Sequence, residues 1–335
     1  MLPALLLPVM LAALTVLHLL EAAASAKPPC SLNGVLRQGR CVCDPGWRSG
    51  ATGSCELLNL ADTLSSLHGT DLRPGDPTAP GNTTWLWGGS PIEVAGAWHL
   101  YFSEITEGCG LLHYQTNSVV RHATGPTISG PWTVVAALPA LSPRFGHWDS
   151  GAVHGPSITR DPASGLFLLF YMGTTVTTLR PDCRANPSSL PVMNSSSRRI
   201  GLAWSVSLEP GQEQWHRAPS TLGGDYHSGM ILQPRPNGWD SSDVSNAAPL
   251  ILQNGTVLLG YRAGGDGVAL GGGIGMAVAD HWNGTYTRRG AAARAMLFPA
   301  EDGALWQDSR GNLHFFVHRF AAGNGSTAGA EVGGQ

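Results

Sequence analysis

Glu301 to Phe320, EDGALWQDSRGNLHFFVHRF, is the stretch that decides the fold. The acidic pair Glu301-Asp302 opens it, and a short apolar run follows to the turn Asp308-Ser309-Arg310-Gly311. Leu313 to Phe320 then reads as a strand. The same plan recurs upstream. Ser90-Pro91-Ile92 leads to Gly96 and then Trp98-His99-Leu100-Tyr101-Phe102. Gly155-Pro156-Ser157-Ile158 leads to Gly165 and then Leu166 to Tyr171. Asn246-Ala247-Ala248-Pro249-Leu250-Ile251 leads to Asn254-Gly255 and then Val257 to Tyr261. A strand–turn–strand unit repeated along a chain is the mark of an array.

Each upstream unit has a second half. The first continues into Gly110-Leu111-Leu112-His113-Tyr114, Arg121-His122-Ala123 and Ser129-Gly130-Pro131-Trp132. The second gives Arg199 to Ser205 and then Gln214-Trp215-His216-Arg217. The third gives Gly273 to Ala279 and then Trp282 to Tyr286. About four short strands per unit, with alternating apolar residues, predict an all-β chain. Such sheets repeated radially make a β-propeller. Four openings are visible, and after Phe320 the pattern fades into Ala-Gly-Asn-Gly-Ser-Thr-Ala-Gly.

The formal net charge of −3 and the lack of a basic stripe argue against nucleic acid as a partner. Leu5 to Leu20 is apolar and Ala24-Ser25-Ala26 is a small-residue cleavage site, so residues 1–26 read as a signal peptide. The apolar run is short for a membrane span. The expectation is a secreted chain with no stable membrane anchor after cleavage. Sequons at Asn82, Asn194, Asn254, Asn283 and Asn324 are candidate N-glycosylation sites and agree with that compartment.

Cys30, Cys41, Cys43 and Cys55 crowd residues 27–57, a density that means disulfides in a secreted chain. The missing His ligands argue against zinc. The wording Cys30-Ser-Leu-Asn-Gly, Gly39-Arg-Cys41-Val-Cys43-Asp-Pro-Gly46-Trp47 and Cys55 resembles an epidermal-growth-factor-like module lacking one cysteine pair. That resemblance implies the pairs Cys30–Cys41 and Cys43–Cys55, and a role in spacing or protein contact. Cys109 and Cys183 are the remaining two and are expected to pair. Residues 58–83, broken by Pro74, Pro77 and Pro80, read as a linker, and residues 84–335 as the propeller.

The blade openings, each followed by Gly, a strand and an aromatic, resemble the family-43 glycoside hydrolases. These are five-bladed β-propellers that act on arabinose- and xylose-containing glycans. With the small disulfide module in front, the chain is similar to secreted family-43-like proteins of algae and other protists. The resemblance implies a fifth blade that is missing, degenerate or beyond Gln335. It also implies carboxyl groups near the axis: a base Asp, an Asp that tunes it, and an acid. Ser90 stands at the base position, Asn246 at the tuning position, and Glu301 or Asp302 at the acid.

An acid must protonate the leaving oxygen while a base activates water. Three long loops, Ser142 to Val153, Thr174 to Arg198 and Leu222 to Ser245, interrupt the array, and such loops commonly line the functional face. Two of them carry Trp-Asp-Ser. Asp149 and Asp240 are therefore candidate substitute bases, with Trp148 and Trp239 as sugar-stacking rings; an Asx-turn beside a packed Trp is the bland reading. His154, Asn246 and Ser90 are candidate substrate contacts. His314 and His318, four apart on a strand, are assigned to structure. No cofactor or metal site is expected from the motifs, and whether calcium sits on the axis is left open. The reading is a glycosidase acting on polysaccharide or oligosaccharide. The alternative is an inactive propeller that binds glycan or protein.

Overall fold

The computed structural model describes residues 29–59, 85–176, 180–191, 198–220, 223–264, 272–289 and 300–319. The signal peptide, nearly all of the linker, and the sequons at Asn82, Asn194 and Asn324 lie outside them. Contacts divide the chain into two compact units, Met1–Leu64 with Gly334–Gln335, and Ser65–Gly333.

In the smaller unit β1 (Gly34–Arg37) pairs with β2 (Arg40–Cys43), and β3 (Trp47–Arg48) with β4 (Leu57–Leu58), all antiparallel. Disulfides join Cys30 to Cys41 and Cys43 to Cys55. Gly34 has no room for a side chain, since a Cβ there would lie 2.6 Å from the Cys55 Sγ.

The larger unit is all-β. Its first sheet runs β5 (Trp85–Val94), β6 (Ala97–Ile105), β7 (Ser118–Gly125), β8 (Thr133–Val134). The second runs β9 (Ala152–Arg160), β10 (Phe167–Thr174), β11 (Arg199–Ser205), β12 (His216–Arg217), with β13 (Met230–Leu232) added to β11. The third runs β14 (Asp243–Ile251), β15 (Val257–Gly264), β16 (Gly273–Ala279), β17 (Thr287–Arg289). A hairpin of β18 (Ala300–Gln307) and β19 (Leu313–Arg319) makes the fourth. One expectation fails locally. Leu111–His113 is a 3-10 turn and Tyr114–Asn117 a short helix, α1, so the third strand of the first sheet begins at Ser118. The Cys109–Cys183 disulfide anchors this segment instead of a strand partner.

Period-2 alternation explains the core. Leu168 and Phe170 of β10 pack with Val244, Leu259 and Tyr261 of the third sheet. Leu169 and Tyr171 face the other way, onto Tyr101 and Val120 of the first. The second sheet is thus covered on both faces, which is why Phe167-Leu168-Leu169-Phe170-Tyr171 is a continuous apolar run. Phe315 of β19 seats against Gly260 of β15, where a Cβ would come within 2.5 Å of the ring.

The first strands of successive sheets, β5, β9, β14 and β18, lie side by side in chain order. Each carries a β-bulge at one level. The bulge residue has positive φ in every case: Gly88 (56°), Gly155 (58°), Asn246 (48°) and Asp302 (50°). Gly tolerates this conformation freely, and Asn and Asp are the side chains that tolerate it best. The bulges correct the sequence alignment. Gly88, not Ser90, is level with Asn246 and Asp302, and Pro91 matches Pro249 rather than Pro156. Ser90 has a different task. Its Oγ accepts the Ile158 amide at 2.9 Å, tying the first sheet to the second.

Candidate functional site

The bulges surround a cavity of about 500 Å³ lined from all four sheets, including Trp87, Ser90, His154, Ser157, Asn246 and Asp302. An adjoining space of about 190 Å³ shares Trp87, His154, Met172, Asn246 and Asp302 and adds Tyr114, Arg198, Arg262 and Glu301. Together they form one cleft. A bulge turns its side chain out of the ladder, so one irregularity repeated four times aims four backbones at one space.

Asp302 opens into both spaces, and the Asn246 side-chain amide donates to its Oδ1. Glu301 lines the smaller space only, 3.7 Å from the Arg262 Nε and 3.5 Å from the His318 Nδ1. Burial, and then the neighbouring Asp302, push the Glu301 carboxyl above its ordinary range; Arg262 and His318 pull the other way. Burial also raises Asp302, against the Asn246 hydrogen bond, His318 and Arg262. Asp302 is the more exposed of the two, so solvent in the cleft screens its shift. Both shifts favour the protonated acid, the form that can donate a proton.

On β9, His154 is 8% exposed, and its Nδ1 lies 2.8 Å from the Ser118 Oγ. Burial takes its pKa down to about 3, so the ring is neutral. Arg198 is ion-paired to Asp243, which also accepts the Gly264 amide at 2.6 Å. Among the described residues, Glu301, Asp302 and His318 each bring a ligating atom within 4.8 Å of the others, a set able to hold a cation. Cys109, His113 and Cys183 are equally close, but their sulfurs are committed to a disulfide.

Asp149, Asp240, Trp148 and Trp239 are corrections to the sequence reading. Both carboxylates are 0% exposed and line neither space of the cleft. Asp149 accepts from Arg144 (3.3 Å), Arg217 (2.9 and 3.1 Å) and the Tyr171 hydroxyl (3.0 Å). Asp240 accepts from Arg235 (2.8 Å), Arg288 (2.5 Å) and the Tyr261 hydroxyl (3.2 Å). Trp148 stacks on Tyr171 and Trp239 on Tyr261, each at 5.8 Å. Each ring pair sits over a glycine on the next strand, Gly201 or Gly275, where a Cβ would come within 2.4 or 2.7 Å of a ring atom. These loops carry a repeated clamp that locks a sheet. A carboxylate held by cations on both oxygens is in no position to activate water.

Of the other expected residues, Ser90, His154, Asn246, Glu301 and Asp302 meet at the cleft. His314 bonds the turn residue Asp308 at 2.9 Å, whereas His318 faces Glu301. Trp87, Tyr114, Ser118, Arg198 and Arg262 escaped the sequence reading. A signal was present for Trp87, which immediately precedes Gly88-Gly89 in the first opening; Arg198 and Arg262 belong to no repeated motif. Asn254 and Asn283 are exposed on turns of the third sheet.

No family model and no curated protein sequence matches the chain. Solved structures do. The family 117 glycoside hydrolase Zg3597 of the marine bacterium Zobellia galactanivorans is 15% identical, with 79% of this chain and 73% of that one covered and a TM-score of 0.51. An endo-arabinase from Bacteroides thetaiotaomicron is 15% identical over 72% of each chain, TM-score 0.46. An α-L-arabinofuranosidase from Clostridium thermocellum is 14% identical over 70% of this chain and 61% of that one, TM-score 0.43. The likeness to Zg3597 shows the fold, an all-β propeller-like arrangement of sheets.

Proposed function

We propose that the chain is a glycoside hydrolase whose axial cleft binds a polysaccharide or oligosaccharide end and cleaves a glycosidic bond. The observation that carries this reading is the pair Glu301-Asp302, two carboxyls biased toward protonation in a cleft large enough for a sugar. Asp302, which borders the larger space, is the proton donor. Glu301 lines the adjoining smaller space, and Arg262 and His318 limit how far the pair's pKa values rise. Arabinose- and xylose-containing or algal glycans are the substrates to try first. The further parts of the reading are a five-bladed architecture over residues 84–335, an epidermal-growth-factor-like role for residues 27–57, and secretion. Three disulfides suit an oxidising compartment.

The full secreted chain would be incubated with arabino-, xylo- and algal galacto-oligosaccharides and new reducing ends followed. Asp302→Asn is expected to lower kcat about 10²–10⁴-fold, the usual worth of a positioned acid. Activity that survives in this variant would overturn the assignment. The pH profile gives a second check. The donor must be protonated, so activity falls as pH rises through the raised pKa. Arg262→Met removes a cation that opposes the shift, and the alkaline limb is expected to move to higher pH. A limb unmoved in that variant would detach Arg262 from the pair.

A second reading has its own support. The carboxyls that line the cleft, Glu301 and Asp302, sit on one strand, and the described walls from β5 and β9 offer none. Glycan binding without hydrolysis is the expected result if nothing else in the cleft can act as a base.

A further inference from the structure

We propose that the Nε2 of His154 is the base of this cleft, accepting the proton of the attacking water. The inference rests on the hydrolase reading and supplies what that reading lacks. By the bulge register His154 on β9 occupies the level of Glu301 on β18, one residue before the bulge in each, with Ser245 of β14 at that level between the two strands. His154 lines both spaces of the cleft, as Asp302 does. Its Nδ1 is held by the Ser118 Oγ at 2.8 Å, and Ser118 is itself 0% exposed. No described residue bonds Nε2. The base role takes the tautomer in which Nδ1–H donates to the Ser118 Oγ, which leaves the lone pair on Nε2, on the other side of the ring.

The proton balance closes without a co-reactant. Asp302 gives its proton to the glycosidic oxygen as the bond from that oxygen to the anomeric carbon breaks. The water oxygen bonds to that carbon, and the water proton passes to His154. The products are a reducing sugar and an alcohol, and the enzyme is left with an Asp302 carboxylate and a His154 imidazolium. Transfer of one proton between them resets the site. Burial makes protonation of this ring costly on its own, as its low pKa records. In the reaction part of that cost is offset because the ring gains charge as Asp302 becomes an anion in the same cleft, an attraction that solvent at the exposed Asp302 partly screens. The bland alternative is a packed histidine bonded to a serine and tilted against Tyr114, with ring centroids 5.1 Å apart. Packing alone predicts no chemical rescue.

The test uses the full chain on the arabino- and xylo-oligosaccharide panel, with wild type, Asp302→Asn, His154→Ala, His154→Gln and Ser118→Ala side by side. His154→Ala is expected to lower kcat about 10²–10⁴-fold with KM changed only a few-fold. Added imidazole is expected to restore at least a tenth of the loss, since it can enter the vacated space. His154→Gln keeps a polar group but accepts no proton, and is expected to stay slow while still binding oligosaccharide by calorimetry, which separates loss of chemistry from loss of fold. Ser118→Ala is expected to lower kcat less than His154→Ala does. If Asp302→Asn is dead and His154→Gln is near wild type, the base assignment falls and the hydrolase reading stands. His154→Ala that is slow, binds normally and ignores imidazole also overturns it. No hydrolysis by wild type on any substrate overturns both together.

Discussion

Asp149→Ala is expected to cost about 3–5 kcal/mol of stability, the usual penalty for removing one partner of a buried ion pair. Arg217 is left with a side chain 9% exposed and no counter-ion, and the Tyr171 hydroxyl and Arg144 lose their acceptor. Asp240→Ala should match it, because Arg288 and Tyr261 repeat the arrangement in the third sheet. Asp302→Asn, by contrast, exchanges an exposed carboxyl for an amide; among the described residues no cation pairs with that carboxyl at short range, and stability at neutral pH should stay near wild type. Urea denaturation checks this: the midpoints of the two clamp variants should fall at unchanged slope, and that of Asp302→Asn should hardly move. A clamp variant that folds as well as wild type would reopen Asp149 as a site residue. The comparison matters because these carboxylates look alike in the sequence and do different work.

Removing the Cys109–Cys183 disulfide as a pair, with Cys109→Ser and Cys183→Ser together, is expected to cost about 4 kcal/mol. The bond closes a loop of 74 residues, and that figure follows from the chain entropy such a loop regains on unfolding. Both sulfurs are buried, at 0% and 3% exposure. The bond also fixes the segment carrying Leu111, Leu112 and Tyr114, which lines the smaller space of the cleft. Weakened oligosaccharide binding should therefore accompany the lower midpoint. The Cys43–Cys55 bond closes a loop of only 12 residues in the other unit, and Cys43→Ser with Cys55→Ser should leave the main transition in place. A main transition unchanged in the first double variant would sink the entropic account.

How much of this was legible varies with range. The hairpins were, because Asn254-Gly255 and Asp308 to Gly311 are local turn chemistry and the strands around them alternate in hydrophobicity with period two. The repeat count of four openings was legible for the same reason. The cleft members Glu301, Asp302, Asn246 and His154 were found because they sit at those openings. Their alignment was not, because a bulge adds a residue without changing the hydrophobic pattern, and proline proved a poor ruler: Pro91 and Pro156 lie at different levels. Trp148-Asp149 and Trp239-Asp240 misled for a related reason. An exposed acid beside a stacking ring and a buried acid beside a packed ring have the same two letters. Their cations, Arg217 and Arg288, stand 68 and 48 residues away.

By itself, then, the sequence determined the all-β class, the order of the strand–turn–strand units, and the positions that bring a carboxyl pair to a sheet opening, since each follows from neighbours within a few residues. The tertiary structure decided which acids are buried and neutralised, which serve the cleft, and that Ser118 holds His154 there. Those outcomes depend on burial and on partners from other sheets, and both are set only when the sheets close on one another.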